Sequence, residues 1–420
     1  MQGCVEHTLV LKRLLEQARR RKVAAHLIWI DIANAFGSVP HDVFNLALES
    51  VHAPHWFRSY MANFYSDITV IGNTTNFKTD PIKIKVGVFQ GDTISPTLFV
   101  LVFNQFLKYL DTERDHGLQL NQEKVSSLAF ADDLTILCNH SRSAQRILNA
   151  VDKKMKSVNL AIKPSKCRSL SLKAGSFDES RKFSLDGVPF DNVNDSPMKF
   201  LGMHVFKSHQ NANSGTYLNE KLSDLMRRVD SLPVRGQYKV QIYDAYVTSC
   251  LRFDLTVCDV AKSNLDTLDC VVRKYFRKWV GMPKSTHIGL AFHSRGLNLP
   301  YPSLLYQQGH ESALHTRQPD DTPLKEAISI TKAQCPSSSS SASAPWKSIK
   351  VGLKKASDDS IEEHAKECSK QGQWLNALEQ MDSDLSWKAS LHGLSESTYS
   401  FVMRSLTNSL PTKCQSFSMG

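Results

Sequence analysis

Leu128-Ala129-Phe130-Ala131-Asp132-Asp133-Leu134-Thr135-Ile136-Leu137 reads as two apolar strands folded about an acidic turn, and the pattern extends over Ser127–Cys138. A tight hairpin favours Asn-Gly or Asp-Gly at its tip, because those residues accept positive φ. Asp-Asp is a poor choice there, and adjacent carboxylates repel one another. A divalent cation removes the objection: hard oxygen ligands suit magnesium, and its charge offsets the repulsion. The competing reading is a solvated acidic turn that holds nothing.

Upstream, His26-Leu27-Ile28-Trp29-Ile30 is an apolar run of strand formers that stops at Asp31. Such a run, bounded by a charge, predicts a strand buried on both faces. Between Asp31 and the Asp132-Asp133 pair lies Gly87-Val88-Phe89-Gln90-Gly91-Asp92-Thr93-Ile94-Ser95-Pro96. Gly91 would let a backbone approach a ligand closely. Gln90 offers a neutral donor and acceptor suited to a base or sugar edge. Ser95 is expected as an N-cap with Pro96 at the first helical position. Behind them Leu98, Phe99, Val102, Phe103, Phe106, Leu107 and Leu110 recur at helical spacing and predict a helix packed into a core. Leu9–Lys22 also reads as an amphipathic helix, ending in Arg19-Arg20-Arg21-Lys22; that cluster is either a solvated last turn or a phosphate contact. The expected fold class is α+β.

The second half changes character. Tyr217–Leu232, Gln237–Leu255 and Leu265–Val280 are helical in pattern. After Ile330 the pattern dissolves into a stretch with Ser337 through Ser341, read as a flexible linker. The chain has 420 residues, enough for two or three domains, with 51 Lys plus Arg against 41 Asp plus Glu. That net charge of +10 favours polyanionic partners, nucleic acid first. Its 9 cysteines form no C-x-x-C pair, which argues against a zinc ribbon or disulfide framework and for a reducing compartment, cytosol or nucleus. The longest apolar run, Leu98–Phe103, is far too short for a membrane span.

Strand-Asp, Gly-Gln loop with helix, and strand-Asp-Asp-strand follow one another in an order that resembles the palm of reverse transcriptases. Asp31-Ile-Ala-Asn-Ala-Phe36-Gly37-Ser38-Val39-Pro40-His41 is similar to that family's first palm motif, Gly87–Leu98 to its second, and Phe130-Ala131-Asp132-Asp133 to its third. Leu160-Ala-Ile-Lys-Pro164-Ser-Lys166-Cys167 is similar to the fourth, and Phe200-Leu201-Gly202 to the fifth, the primer grip. Gly3-Cys4-Val5-Glu6-His7 resembles the stretch before the first motif in non-LTR retrotransposons, the site-specific clade with a restriction-like endonuclease above all. The helical region through Gly296-Leu297-Asn298-Leu299-Pro300 is similar to that clade's thumb and post-thumb.

The resemblance implies a palm of antiparallel sheet on helices over residues 1–205, a helical thumb and post-thumb over 206–330, a Ser-rich linker over 331–345 and a helical or partly disordered tail over 346–420. It implies an RNA-directed DNA polymerase acting on an RNA template, a DNA primer or target and deoxynucleoside triphosphates. Asp31 and Asp132 would bridge two magnesium ions, with manganese as a substitute, Asp133 as secondary ligand and the Ile32 carbonyl as a further donor. Phe36 would lie under the incoming sugar and reject a 2′-hydroxyl; Gln90 and Gly91 would line the nucleotide and template pocket. Lys166 matches the position of a general acid for pyrophosphate, and Leu201 and Gly202 would place the primer end. Arg273, Lys274, Arg277 and Lys278 interleave with Tyr275, Phe276 and Trp279; this is either a thumb helix on a duplex backbone or a helix that buries its rings and leaves its charges in water.

Two positions depart from the family. Gly37 stands where many relatives carry an acidic or polar residue, and Lys163 where an Asn is usual. Only about thirty residues precede Asp31, so the basic fingers are expected outside this chain, as part of a longer polyprotein. The chain by itself is then expected to bind primer–template and magnesium but to extend poorly. A catalytically inactive, nucleic-acid-binding remnant is the alternative of another class, and an unrelated magnesium nuclease leaves the motif order unexplained.

Overall fold

The computed structural model describes residues 3–89, 91–193, 198–205, 211–283, 287–294, 296–315, 322–334, 346–367, 391 and 393–406. The chain divides into two compact units, Met1–Lys207 with Pro319–Ile330, and Ser208–Gln318 with Thr331–Gly420.

The first unit opens with α1 (Cys4–Arg20), which starts five residues before the expected Leu9 and ends before Lys22. Glu6 closes its first turn back onto the Gly3 N–H. Then come β1 (Ala25–Ile30), β2 (Ile32–Ala33), α2 (Ala35–Ser38), α3 (His41–Ser50) and α4 (His55–Ser66). A hairpin of β3 (Thr69–Val70) and β4 (Ile82–Lys83) leads to α5 (Ser95–Thr112). Ser95 is the first helical residue rather than the cap, and its hydroxyl donates to the Asp92 carboxylate at 3.4 Å. A second hairpin, β5 (Leu118–Leu120) and β6 (Glu123–Val125), precedes the acidic hairpin of β7 (Ser127–Phe130) and β8 (Asp133–Cys138). Next are α6 (Ser141–Ser157), β9 (Ala161–Ile162), a 3-10 turn at Pro164–Lys166 and β10 (Arg168–Lys173). Short strands β11 (Ser176–Phe177), β12 (Ser184–Leu185), β13 (Val188–Pro189) and β14 (Asp191–Asn192) follow, and the hairpin of β15 (Met198–Phe200) and β16 (Met203–Val205) closes the unit.

The main sheet runs β11-β10-β1-β8-β7, with β14 parallel to β10 and the other pairings antiparallel. Every residue of β1 is buried, as a strand bonded along both edges and covered on both faces requires. Ile28, Ile30, Leu134, Ile136 and Cys138 point from one face into a core shared with Phe99, Val102, Phe103 and Phe106 of α5 and Ile147, Leu148 and Val151 of α6. The alternate residues, Trp29 and Thr135, belong to the opposite face.

The second unit is helical: α7 (Asn211–Ser231), α8 (Gly236–Ile242), a π turn at Tyr243–Val247, α9 (Thr248–Val257), α10 (Lys262–Val280), α11 (Gly289–Phe292) and α12 (Pro302–His315). The helix α13 (Thr322–Gln334), whose residues through Ile330 group with the first unit, continues four residues past Ile330, where the sequence pattern dissolves. The remaining helices are α14 (Trp346–Lys366) and Glu396–Leu406. Residues 335–345, which include the Ser-rich stretch, lie outside the described residues. Among the described residues no helix is long and apolar enough to cross a membrane.

Candidate active site

The acidic hairpin differs in one respect from its sequence reading. Phe130 pairs with Asp133, so the two-residue loop is Ala131-Asp132, and Asp133 is the first residue of β8. The left-handed position is taken by Ala131, φ 55°. An Ala Cβ pays for that conformation where Gly would not.

The register of β1 on β8 places Leu27 opposite Leu137, Trp29 opposite Thr135 and Ile30 opposite Leu134. The pairs end there; Asp31 follows Ile30 and Asp133 precedes Leu134, and both aspartates line one cavity with Trp29 and Thr135. Residues separated by about a hundred positions in the chain thus end at one edge of one sheet. The pKa of Asp133 is raised, first because the protein around it desolvates its carboxyl although the residue is open to solvent, then by the Asp132 and Asp31 charges. That like-charge crowding is what a divalent cation would relieve, and the oxygen-only donor set suits magnesium. Among the described residues no three His, Cys, Asp or Glu side chains already stand arranged as a metal cage.

Asp31 is held by its backbone. Its N–H donates to Cys167 Sγ at 3.4 Å, and its carbonyl accepts from the Lys163 N–H at 2.8 Å. The Cys167 thiol in turn donates to the Lys163 carbonyl at 3.3 Å, and burial pushes its pKa up to about 11, keeping it protonated. Cys167 belonged to a quoted motif, but nothing in the sequence signalled that its thiol clamps Asp31. Lys163 serves here through its main chain, which explains why a lysine can stand where an Asn is usual. The same turn brings Lys166 Nζ to 4.0 Å from Asp31 Oδ2. Ile32 is buried in β2 opposite Ile162.

Phe36 stacks on Phe99, with ring centroids 4.5 Å apart. The segment after it is stitched to the Gly87 loop: Val88 N–H donates to the Phe36 carbonyl and Gly87 N–H to the Val39 carbonyl, both at 2.8 Å. Gly87 has φ 85°, and a Cβ there would come within 2.9 Å of the Gly37 backbone. The two glycines therefore mark a close crossing of the first and second motifs. Gly91 has φ 94°, a conformation that favours glycine, and no protein atom among the described residues lies within 4 Å of where a Cβ would stand. Gln90 lies outside the described residues.

Leu201 and Gly202 form the turn of the β15–β16 hairpin, both at positive φ, 45° and 93°. Phe200 of that hairpin lies 6.5 Å from the Trp29 ring, and together with Asp31, Asp133, Lys166 and Arg168 it lines a cavity of about 260 Å³. Four of the five motifs thus meet around one end of the sheet, through Asp31, Asp133, Lys166 and Phe200. In the second unit, Phe276 and Trp279 are buried on α10. Arg273 lies over the Tyr301 ring at 5.0 Å, Arg277 donates to the Pro283 carbonyl at 3.0 Å and Lys278 pairs with Asp230 at 2.7 Å. These contacts fit the packing reading of that helix better than the duplex one.

Residues 1–205 match the family described as reverse transcriptase (RNA-dependent DNA polymerase). They are a reverse transcriptase domain. That agrees with the resemblance to non-LTR retrotransposon reverse transcriptases drawn from the motifs. The chain is similar to the Retrovirus-related Pol polyprotein from type-1 retrotransposable element R2 of Nasonia vitripennis, 25% identical over 309 residues, covering 71% of this chain and 29% of the relative. The corresponding R2 polyprotein of Popillia japonica is 26% identical over 305 residues, with 70% and 48% covered. That of type-2 element R2DM of Drosophila melanogaster is 23% identical over 308 residues, with 71% and 29% covered. The chain therefore spans less than half the length of each of these relatives. A solved telomerase from Candida tropicalis, in complex with a fragment of telomeric RNA, overlays at a TM-score of 0.37 and 12% identity, covering 82% of this chain and 51% of that one.

Proposed function

We propose that the reverse transcriptase domain is the palm of an RNA-directed DNA polymerase, adding deoxynucleotides to a primer 3′-hydroxyl on an RNA template. The observation that carries the reading is that Asp31, next after the last pair of β1 on β8, lines one cavity with Asp133, with Asp132 at the adjoining turn. Magnesium, or manganese in its place, would supply charge neutralisation and a lowered hydroxyl pKa when bound between these carboxylates. Asp31 and Asp132 would be the bridging donors, Asp133 a secondary one and Ile32 a carbonyl donor. Lys166, close to Asp31 and exposed, would give its proton to departing pyrophosphate. Phe36, backed by Phe99, would present a fixed ring under the sugar and exclude a 2′-hydroxyl. Gly91, with Gln90, would face the nucleotide and template. The Leu201-Gly202 turn would seat the primer end above the Trp29 side of the sheet.

The test is primer extension on poly(A)/oligo(dT) by a polypeptide that carries this chain within its reading frame. Asp132→Ala should abolish synthesis, and wild-type rates in that variant would overturn the site. A second reading, of another class, is a nucleic-acid-binding remnant that no longer polymerises. Filter binding of primer–template without extension, under magnesium and under manganese, would select it.

A further inference from the structure

The Gly3-Cys4-Val5-Glu6-His7 stretch supplies none of the side chains that line the cavity around Asp31 and Asp133. It forms the first turn of α1, with Gly3 as the N-cap. Gly3 is held on both sides. Its N–H donates to the Glu6 carboxylate, and its carbonyl accepts from His7 Nδ1–H at 2.6 Å and from the His7 backbone N–H at 3.1 Å. Two side chains and one amide thus fix the shape of this turn.

The fixed turn leans on the acidic hairpin. The His7 and Phe130 rings meet edge to face, with centroids 6.0 Å apart and planes 76° from parallel. A Cβ on Gly3 would come within 2.6 Å of Phe130 Cε2, well inside the distance at which two carbons pack. Glycine is what lets the turn approach the ring so closely. Phe130 is the residue just before the Ala131-Asp132 loop, and it pairs with Asp133 across the hairpin.

The sheet gives that contact its importance. The strand β7 ends the strand order and is bonded in the sheet to β8 alone. Its tip is a two-residue loop whose first residue, Ala131, already stands at φ 55°. A loop at the end of an edge strand has few bonds to hold it, which places it among the segments that open first. A shift of about 1 Å in a reacting group can cost catalysis up to roughly a hundredfold.

We propose that the first turn of α1 is a buttress for the acidic hairpin, with Gly3 and His7 as positioning residues that hold Phe130 and so aim Asp132 toward Asp31. Its effect on catalysis rests on the polymerase reading; its effect on the hairpin does not.

The test uses a polypeptide that carries this chain within its reading frame. Gly3→Ala and His7→Ala should each lower kcat for primer extension by about tenfold or more, with the Kd for primer–template within about twofold of wild type. Manganese binding, read from the electron paramagnetic resonance of the free ion, should weaken by about threefold or more. Amide exchange of a peptide covering Ser127–Cys138 should quicken in both variants. Phe130→Leu combined with Gly3→Ala should lose no more than the worse single variant, because the two act through one contact. Should Gly3→Ala fail to fold, His7→Ala, which leaves the backbone unchanged, decides alone. Losses that multiply in the double variant overturn the buttress, and so does a loss in primer–template affinity with kcat unchanged. Normal extension in His7→Ala, with Asp132→Ala inactive, would sink the buttress alone. A wild-type polypeptide that binds primer–template without extending it would sink the polymerase reading, and unchanged exchange and manganese binding in His7→Ala would then sink the buttress as well.

Discussion

Asp31 stands one residue beyond the last pair of β1 on β8, Ile30 opposite Leu134, and lines the same cavity as Asp133. Lys166 Nζ stands 4.0 Å from Asp31 Oδ2, and Arg168 lines the same cavity as the two carboxylates.

The charge crowding sets a titration. Because the folded-state pKa of Asp133 is raised, its contribution to stability is present below the ordinary carboxylate range and is lost as pH rises through the raised value. Asp31→Asn removes one of the raising charges, so Asp133 should titrate lower in carboxyl-detected NMR. In the wild type, added magnesium or manganese should raise the melting temperature at pH 7 and not at pH 4; Asp132→Ala should erase the increment. An unmoved Asp133 titration in Asp31→Asn would show that the two groups do not interact.

The Leu201 turn stores strain. A leucine at φ 45° costs roughly 1 kcal/mol that glycine does not. In urea unfolding, Leu201→Gly should leave stability unchanged or raise it by up to about 1 kcal/mol. At the same time the KM for primer–template should rise severalfold, if the side chain seats the primer end. A stability loss above about 1 kcal/mol would mean the leucine is there for packing.

His26, buried in β1 and bonded to Ser171 Oγ at 2.9 Å, has its pKa lowered to about 4, chiefly by burial and then by Arg181. For a base held neutral in the fold, the unfolded chain takes up the proton first. Stability should therefore fall as pH drops from about 6.5 toward 4, by at most about 1.4 kcal/mol per pH unit. His26→Gln should flatten the melting temperature over that window, and an unchanged slope would assign the acid sensitivity elsewhere.

Phe36 leans on Phe99, so truncating it removes a ring that nothing else fills. Phe36→Val should raise the use of ribonucleoside triphosphates relative to deoxynucleoside triphosphates by about tenfold or more, at a stability cost of roughly 1 to 2 kcal/mol. Selectivity that survives the substitution would return Phe36 to the core.

Much of this was legible in the residues. The run His26–Ile30 gave a strand buried on both faces, because no polar residue interrupts its pattern on either side. The helix behind Pro96 was equally plain from its apolar spacing. Other features were not. The turn residue at positive φ is Ala131, and nothing in alanine's chemistry marks it for that role. The α1 start was placed late because Cys4–Thr8 shows little apolar periodicity, and its first turn is closed by Glu6 on the Gly3 N–H. The Cys167 clamp depends on a pairing between segments more than a hundred residues apart, which no local pattern encodes. The Lys278 and Arg273 partners, Asp230 and Tyr301, likewise come from other helices.

The strand that ends at Asp31 is the middle rung of its sheet, tied to β10 on one edge and to β8 on the other. On the proposed polymerase reading, opening either edge would free a residue needed for nucleotide addition, so the chemistry would share its fate with the most protected part of the domain. Thermal inactivation should then follow a single cooperative melt, with no earlier phase in which the enzyme is folded but idle.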